Sequence, residues 1–255
     1  MPFHGICVGF VSGKGGTGKT SLLVGIGAAL AKLGKKTLCV DCDGLRNLDL
    51  AMGLTELSLM DYADVAAGRA ALQDAAVEHS LQPNLFLLNA PASGGTESLT
   101  RLEMNALAAH IRSHFDFCLM DAPSGIDGAF PLVLGASNRV LLVCGTDALS
   151  RRDAQRVVME LDAFPSDAAR LIVNRVAVSP FRRPEVTIDD VIDQVGLPLA
   201  GLVPEDAAFA RALGRGLPVT LAEPNSAASR ACARIARRLC GEDVKIPRLY
   251  RYTPM

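Results

Sequence analysis

The stretch Gly13-Lys14-Gly15-Gly16-Thr17-Gly18-Lys19-Thr20 decides the fold of this chain. It matches G-x-x-x-x-G-K-[ST], a loop that binds phosphate between a buried strand and a helix. The apolar run Gly5–Val11 precedes it and the helical stretch Ser21–Leu33 follows it, so the context fits. Glycines let the backbone wrap a phosphate, and the helix N-terminus adds positive potential. The loop therefore predicts a nucleotide-binding site.

The side chains of this loop have distinct expected roles. Lys19 is expected to contact the β- and γ-phosphates, and Thr20 to hold Mg²⁺. The predicted nucleotide contacts in this part of the chain are Gly13, Lys14, Gly15, Gly16, Thr17, Gly18, Lys19, Thr20 and Ser21.

Apolar runs of strand length alternate with stretches of helical period along the chain. The predicted strands are Gly5–Val11, Thr37–Val40, Asn84–Leu88, Phe117–Met120, Arg139–Cys144, Leu171–Val173 and Leu199–Val203. The predicted helices are Ser21–Leu33, Ser98–Ser113, Ser150–Phe164, Asp189–Val195 and Ser226–Cys240. Continuous apolar strands joined by helical crossovers are typical of parallel sheets. We expect a single α/β domain of the P-loop NTPase class, with a largely parallel sheet and helices on both faces.

Composition excludes several other classes of protein. The 255 residues carry a net charge of -1, and 49% are hydrophobic, so the chain can bury a large core. Near-neutral charge, 5% aromatic residues and no Trp argue against a nucleic-acid binder. No apolar run of about 18 residues predicts a membrane span, and the N-terminus does not read as a signal peptide. The seven cysteines read as reduced thiols, so we expect a cytoplasmic protein.

Three aspartates are placed to act near a bound phosphate. Asp121 follows the apolar run Phe117–Met120, at the strand end where open α/β sheets bind ligands. It is expected to hold Mg²⁺ directly or through water. Asp41 and Asp43 flank Cys42 at the end of the second strand, where one would approach the metal and the other orient the attacking water.

The loop also resembles the deviant Walker A motif K-G-G-x-G-K-[ST], which belongs to the MinD/ParA branch of P-loop ATPases. Lys14 stands at the extra lysine of that motif. The resemblance to the MinD family covers nearly the whole chain. Its segments here are Asp41–Asp49 (DCDGLRNLD), Asp121–Ile126 (DAPSGI), Leu171–Arg175 (LIVNR), Gly201–Asp206 (GLVPED) and Gly214–Val219 (GRGLPV). The first of these is one residue shorter than the family pattern.

The resemblance implies a mechanism. Lys14 would reach the phosphates of a partner subunit in an ATP-dependent homodimer, so that Lys14, Lys19 and Asp43 form the catalytic set. Asp43 would position water, and Thr20, Asp41 and Asp121 would bind Mg²⁺. Gly125 would offer its N–H to the γ-phosphate.

The choice of base rests on two further segments. The resemblance implies that adenine is read by Asn174 and Arg175 and by the turn of Pro204, Glu205 and Asp206. From the sequence alone, Asn174 is equally well explained as a strand-end turn residue. No N-K-x-D guanine motif is present, so ATP is expected.

The resemblance also implies a cell-division function. Residues 1–242 would form the ATPase domain and 243–255 a C-terminal tail that attaches to an anionic membrane surface. Lys245, Arg248 and Arg251 favour this attachment, while Pro247 and Pro254 leave room for about one helical turn. Division-inhibitor and activator proteins would be the partners, and septum placement the output. The alternatives are a flagellar-number ATPase, a ParA-type partitioning ATPase and a metal-centre maturation ATPase.

Overall fold

The computed structural model describes residues 5–44, 46–55, 60–91, 99–162, 164–165, 167–177 and 186–247. Its strands are β1 (Ile6–Ser12), β2 (Thr37–Asp41), β3 (Val77–Glu78), β4 (Leu85–Leu88), β5 (Phe117–Ser124), β6 (Arg139–Cys144), β7 (Ala169–Val176) and β8 (Leu199–Pro204). Its helices are α1 (Lys19–Lys32), α2 (Asn47–Met52), α3 (Tyr62–Ala66), α4 (Leu72–Ala75), α5 (Arg101–Arg112), α6 (Phe130–Ala136), α7 (Ala148–Glu160), α8 (Ile188–Val195), α9 (Ala208–Gly214), α10 (Val219–Ala222) and α11 (Ala227–Leu239).

The eight strands form one sheet in the order β3-β4-β2-β5-β1-β6-β7-β8. All neighbouring pairs are parallel except β3 with β4. The phosphate loop follows β1, which lies between β5 and β6. The carboxyl ends of β2, β5 and β7 therefore bring Asp41, Asp121 and Asn174 toward the same edge as the loop.

Helices cover both faces of the sheet, because the strand side chains alternate between two apolar cores. In β1, Cys7 and Val11 face the core shared with α3 to α8. Val8 and Phe10 face the core shared with α1, α2 and α9 to α11. The prediction of an α/β domain with a largely parallel sheet is confirmed.

Several details differ from the sequence prediction. Strand β5 continues past Asp121 to Ser124, so Asp121 lies within a strand rather than after one. The two-residue strand β3 and the short helices α2, α3, α4, α6, α9 and α10 were not predicted. These elements are too short to show a periodic pattern, and tertiary contacts stabilise them.

The chain leaves α11 through residues 243–247, and Ile246 packs against the core formed with α3 to α8. The remaining predicted tail, 248–255, lies outside the described residues, as does Leu45 of the Asp41–Asp49 segment. In the parts of the chain listed above, no helix is long and apolar enough to cross a membrane.

Candidate functional site

The phosphate loop is built by close contacts that only glycine permits. Gly18 has φ 88 and forms the N-cap of α1 without any side-chain cap. A Cβ atom on Gly18 would lie 2.4 Å from Asn174 Nδ2. A Cβ atom on Gly13 would lie 2.3 Å from the backbone of Asp153 in α7. Because α1 has no acidic residue in its first turn, its N-terminal N–H groups suit an anionic ligand.

Three side chains predicted to contact phosphate and Mg²⁺ meet at one point. Lys19 Nζ donates to Asp121 Oδ1, and Thr20 Oγ1 donates to Asp121 Oδ2 at 2.6 Å. The Lys19 and Asp121 side chains are almost fully buried. The two charges neutralise each other in the interior. The pairing matters because a buried charge without a partner would cost several kcal/mol, on the order of the desolvation of one ion.

The carboxylates of Asp41 and Asp43 lie close to this cluster. Asp41 Oδ1 accepts from Asp43 N–H at 3.1 Å, and Asp41 Oδ2 accepts from Leu48 N–H at 3.3 Å. Burial and the nearby charge of Asp121 raise the pKa of Asp41 to about 6. Burial also raises the pKa of Asp43, against the opposing effect of Lys19.

This group of oxygen atoms suits a divalent cation. Hydroxyl and carboxylate oxygens are the ligands that Mg²⁺ prefers. Burial and the charge of Asp121 raise the pKa of both aspartates, so a cation bound here would favour their ionised forms. The residues therefore fit Mg²⁺, which Thr20, Asp41 and Asp121 would hold. Bound there with ATP, the ion would neutralise phosphate charge.

The predicted base-binding residues have mixed roles. Asn174 is buried, and its Nδ2 donates to the Thr17 carbonyl oxygen at 2.7 Å, while its Oδ1 has no hydrogen-bond partner among the described residues. Arg175 is exposed with φ 54. Asn174 thus braces the phosphate loop and still has one amide oxygen free for a ligand.

The turn after β8 is held by Asp206. Asp206 Oδ1 accepts from Ala208 N–H at 2.9 Å, and Oδ2 accepts from Ala228 N–H at 3.1 Å. Burial opposes ionisation here, but these backbone donors lower the pKa of Asp206 overall. Pro204 ends β8, and Glu205 is exposed with its N–H bonded to the Val176 carbonyl oxygen. The Asp206 carboxylate therefore joins the start of α9 to the start of α11 and fixes the position of the turn.

The remaining predicted contacts are engaged within the protein. Gly125 has φ 91, and its N–H donates to the Ser12 carbonyl oxygen at 2.9 Å. Lys14 Nζ pairs with Asp147 Oδ1 at 3.0 Å on the surface. The same Oδ1 atom accepts from Ser150 N–H and caps α7. The Gly125 N–H must leave Ser12 to donate to a phosphate, whereas the three N–H donors of Lys14 let it bind a phosphate by sharing or leaving Asp147.

Sequence reasoning missed two contacts that connect the start of α7 to the loop, the ion pair of Asp147 with Lys14 and the close approach of the Asp153 backbone to Gly13. Local spacing could not have revealed these contacts, because Asp147 lies 133 residues beyond Lys14 in the chain. The pairing of strands β1 and β6 brings the two segments together. The C-x-x-C pair Cys39 and Cys42 is buried, and burial raises the pKa of both thiols. Among the described residues, no group of three or more His, Cys, Asp or Glu side chains is placed to hold a metal ion.

A phosphate loop between β1 and α1, a buried lysine and carboxylates at the adjoining strand ends define a P-loop ATPase. The CobQ/CobB/MinD/ParA nucleotide binding domain model matches residues 8–219. The chain is 34% identical over 241 residues to the septum site-determining protein MinD of Synechocystis sp., covering 91% of this chain and 88% of that protein. It is 34% identical over 239 residues to MinD of Thermotoga maritima, covering 92% and 88%.

Solved structures agree with these relatives. The MinC:MinD cell division protein complex of Aquifex aeolicus superposes with a TM-score of 0.86 at 34% identity, covering 95% of this chain and 98% of that chain. The chain belongs to the MinD family of P-loop ATPases. Members of this family are cell-division regulators that hydrolyse ATP with Mg²⁺, and this is the function of the chain.

Proposed function

We propose that this ATPase is a nucleotide-switched dimer in which Lys14 of each subunit completes the site of the other. The observation that carries the proposal is that the two lysines of the loop have different surroundings, one in the interior and one at the surface. The Lys19 side chain is 7% exposed and points at Asp121. The Lys14 side chain is 32% exposed and pairs with an Asp147 side chain that is 56% exposed.

The two ion pairs differ in how easily they exchange. An exposed pair such as Lys14–Asp147 contributes roughly 0–1 kcal/mol, so Lys14 can leave Asp147 at little cost. A phosphate carries more charge than one carboxylate and attracts a lysine strongly. The Lys14 ammonium is therefore free to bind a phosphate brought to this surface by a second subunit.

In the proposed reaction, water attacks the γ-phosphorus of ATP, the bond to the β-phosphate oxygen breaks, and ADP leaves. Asp43 positions that water, and Lys19 and Lys14 neutralise charge on the phosphates from the two sides. Gly125 moves its N–H from Ser12 to the γ-phosphate. Asn174 and the Pro204–Asp206 turn hold the adenine.

A mixing experiment tests the exchange of Lys14 between subunits. Lys14→Ala and Asp43→Asn are each expected to lose ATPase activity more than about tenfold, because each removes a group needed at the reacting phosphate. In a mixed dimer, the Lys14→Ala subunit keeps Asp43 and receives Lys14 from the other subunit. One intact site re-forms, so the mixture should recover activity.

The control replaces Lys35 by Ala, at the end of the sheet remote from the loop, and should hydrolyse ATP normally. Light scattering after size exclusion should show an ATP-dependent dimer for the control and a monomer for Lys14→Ala. A mixture that stays inactive, or full activity in Lys14→Ala alone, would contradict the exchange of Lys14.

We further propose that residues 1–242 are the ATPase domain and that residues 243–255 attach the dimer to an anionic membrane. This segment combines the basic residues Lys245, Arg248 and Arg251 with the apolar and aromatic residues Leu249, Tyr250 and Tyr252. One such segment binds a membrane weakly, and a dimer doubles it by avidity. This attachment would localise a cytoplasmic protein to the inner membrane surface only in its ATP state.

The proposed partner is a division inhibitor of the kind that accompanies MinD in the Aquifex complex. Helix α7 offers a surface for it, with Leu149 and Met159 exposed on either side of Arg152. The N-cap of this helix is Asp147, the partner of Lys14. Binding there would respond to the release of Lys14 and hence to the nucleotide.

A further inference from the structure

We infer that Gly53 and Gly216 are positioning residues, whose backbone contact keeps the carboxylate end of the ATP site in register with its base end. The contact, called the glycine joint below, connects the C-terminal ends of α2 and α9. Gly53 is the C-cap of α2 with φ 64, and Gly216 follows α9 with φ 59. The inference rests on the roles proposed above for Asp41 and the Pro204–Asp206 turn.

The joint is too close for any side chain. A Cβ atom on Gly53 would lie 2.3 Å from the Gly216 carbonyl oxygen. A Cβ atom on Gly216 would lie 3.2 Å from the Gly53 Cα atom. Two backbones in direct contact cannot be separated by a rotamer change, so a displacement of one helix end displaces the other.

Helix α2 connects the joint to the proposed metal ligands. Asp41 Oδ2 accepts from Leu48 N–H in the first turn of α2. The helix is only six residues long, so it moves as one piece, and Leu48, Ala51 and Met52 fix it in the core. The orientation of the Asp41 carboxylate therefore depends on where α2 is held.

Helix α9 connects the joint to the base side. Ala208, the first residue of α9, donates its N–H to Asp206 Oδ1, and Asp206 is the last residue of the Pro204–Asp206 turn. Ala208 and Ala212 pack α9 into the same core as α2. The joint thus closes a continuous path from Asp41 through α2 and α9 to Asp206, and it gives the Gly214–Val219 motif a role that the phosphate loop does not explain.

Three glycine-to-alanine variants separate this role from the general cost of alanine at positive φ. Gly196 is the C-cap of α8 with φ 79, and a Cβ atom there meets no atom of the described residues within 4 Å. Gly196→Ala therefore carries the backbone strain without the collision. Gly53→Ala carries strain and a severe collision, and Gly216→Ala carries strain and a milder one.

The measurements are kcat and KM for ATP, the Kd of ADP in EDTA, and hydrogen exchange of segment 47–52 in the ligand-free full chain. All are made well below the unfolding temperature of each variant.

We expect kcat to fall roughly tenfold in Gly53→Ala and about threefold in Gly216→Ala, since a shift of about 1 Å at the reacting groups costs up to about a hundredfold in rate. Exchange at 47–52 should rise in both joint variants, and the Kd of ADP should rise in Gly53→Ala. Gly196→Ala should match the wild type.

Joint variants that behave like Gly196→Ala in kcat, Kd and exchange would overturn the inference. If Gly53→Ala does not fold, the milder Gly216→Ala decides. The exchange measurement needs no ATP hydrolysis. An inactive wild type would therefore contradict the proposed function and still leave the joint open to this test.

Discussion

At the scale of single residues, the buried carboxyl group of Asp41 makes the stability of the protein depend on pH. Its pKa rises from an ordinary value of 3.8 to about 6 on folding, through burial and the charge of Asp121. The native state therefore holds the proton more tightly than the unfolded chain. Stability from this group is fully present below about pH 4 and is lost as the pH rises through about 6.

Replacing Asp41 by Asn removes this titration. Between about pH 4 and pH 7 we expect the wild type to lose up to about 3 kcal/mol of unfolding free energy relative to Asp41→Asn. Urea unfolding without nucleotide or Mg²⁺, at several pH values, measures the difference. Asp243→Asn, at an exposed carboxylate, is the control. Parallel pH profiles for wild type and Asp41→Asn would show that Asp41 does not carry this cost.

Asn174 also determines the shape of the phosphate loop, because its side-chain amide donates to the Thr17 carbonyl oxygen. In Asn174→Asp a carboxylate oxygen would face that carbonyl oxygen in a buried position. The lost hydrogen bond and the repulsion cost about 1–3 kcal/mol, so ATP should bind about tenfold more weakly or worse.

Binding of a fluorescent ATP analogue measures this effect. Asn225→Asp, in an exposed turn, is the matched control and should bind normally. Unchanged affinity in Asn174→Asp would mean that Asn174 does not shape the loop.

At the scale of elements, the sequence pattern predicted the long helices and buried strands but not the short helices. The loop after β1, helix α1 and the buried strands follow from motif and apolar pattern. Helices α2 and α9 do not, because six or seven residues cannot stabilise themselves in water. Their positions, and hence the orientation of Asp41, come from packing against the core.

The root of the tail is also defined by packing. Ile246 is half-buried against the core, although the sequence analysis placed it in the C-terminal tail. Ile246→Ala should lower the unfolding free energy by about 1 kcal/mol, less than for a fully buried position. Lys245→Ala, which removes an exposed side chain, should have no such effect. Equal stability of the two variants in urea would place Ile246 outside the fold.

At the scale of the whole molecule, a chain ending at Pro247 removes residues 248–255, the part of the tail that follows the packed Ile246. It keeps Ile246, so its ATPase activity should equal that of the full chain. Only the full chain should pellet with anionic vesicles, and only in ATP, because a dimer presents two tails. Pelleting of the shortened chain, or equal pelleting in ADP, would contradict the proposed attachment.

The sequence by itself determined the class of protein, the ligand and the ATP-binding loop. These depend on contiguous residues, whose glycines and lysines must stand at fixed spacing to wrap a phosphate. Only the tertiary structure decided which partner each group has. Lys14 meets Asp147, Asn174 meets Thr17, and Gly53 meets Gly216, although each pair is far apart in the chain. Such contacts depend on how helices pack on the ordered strands, and no local pattern encodes that packing.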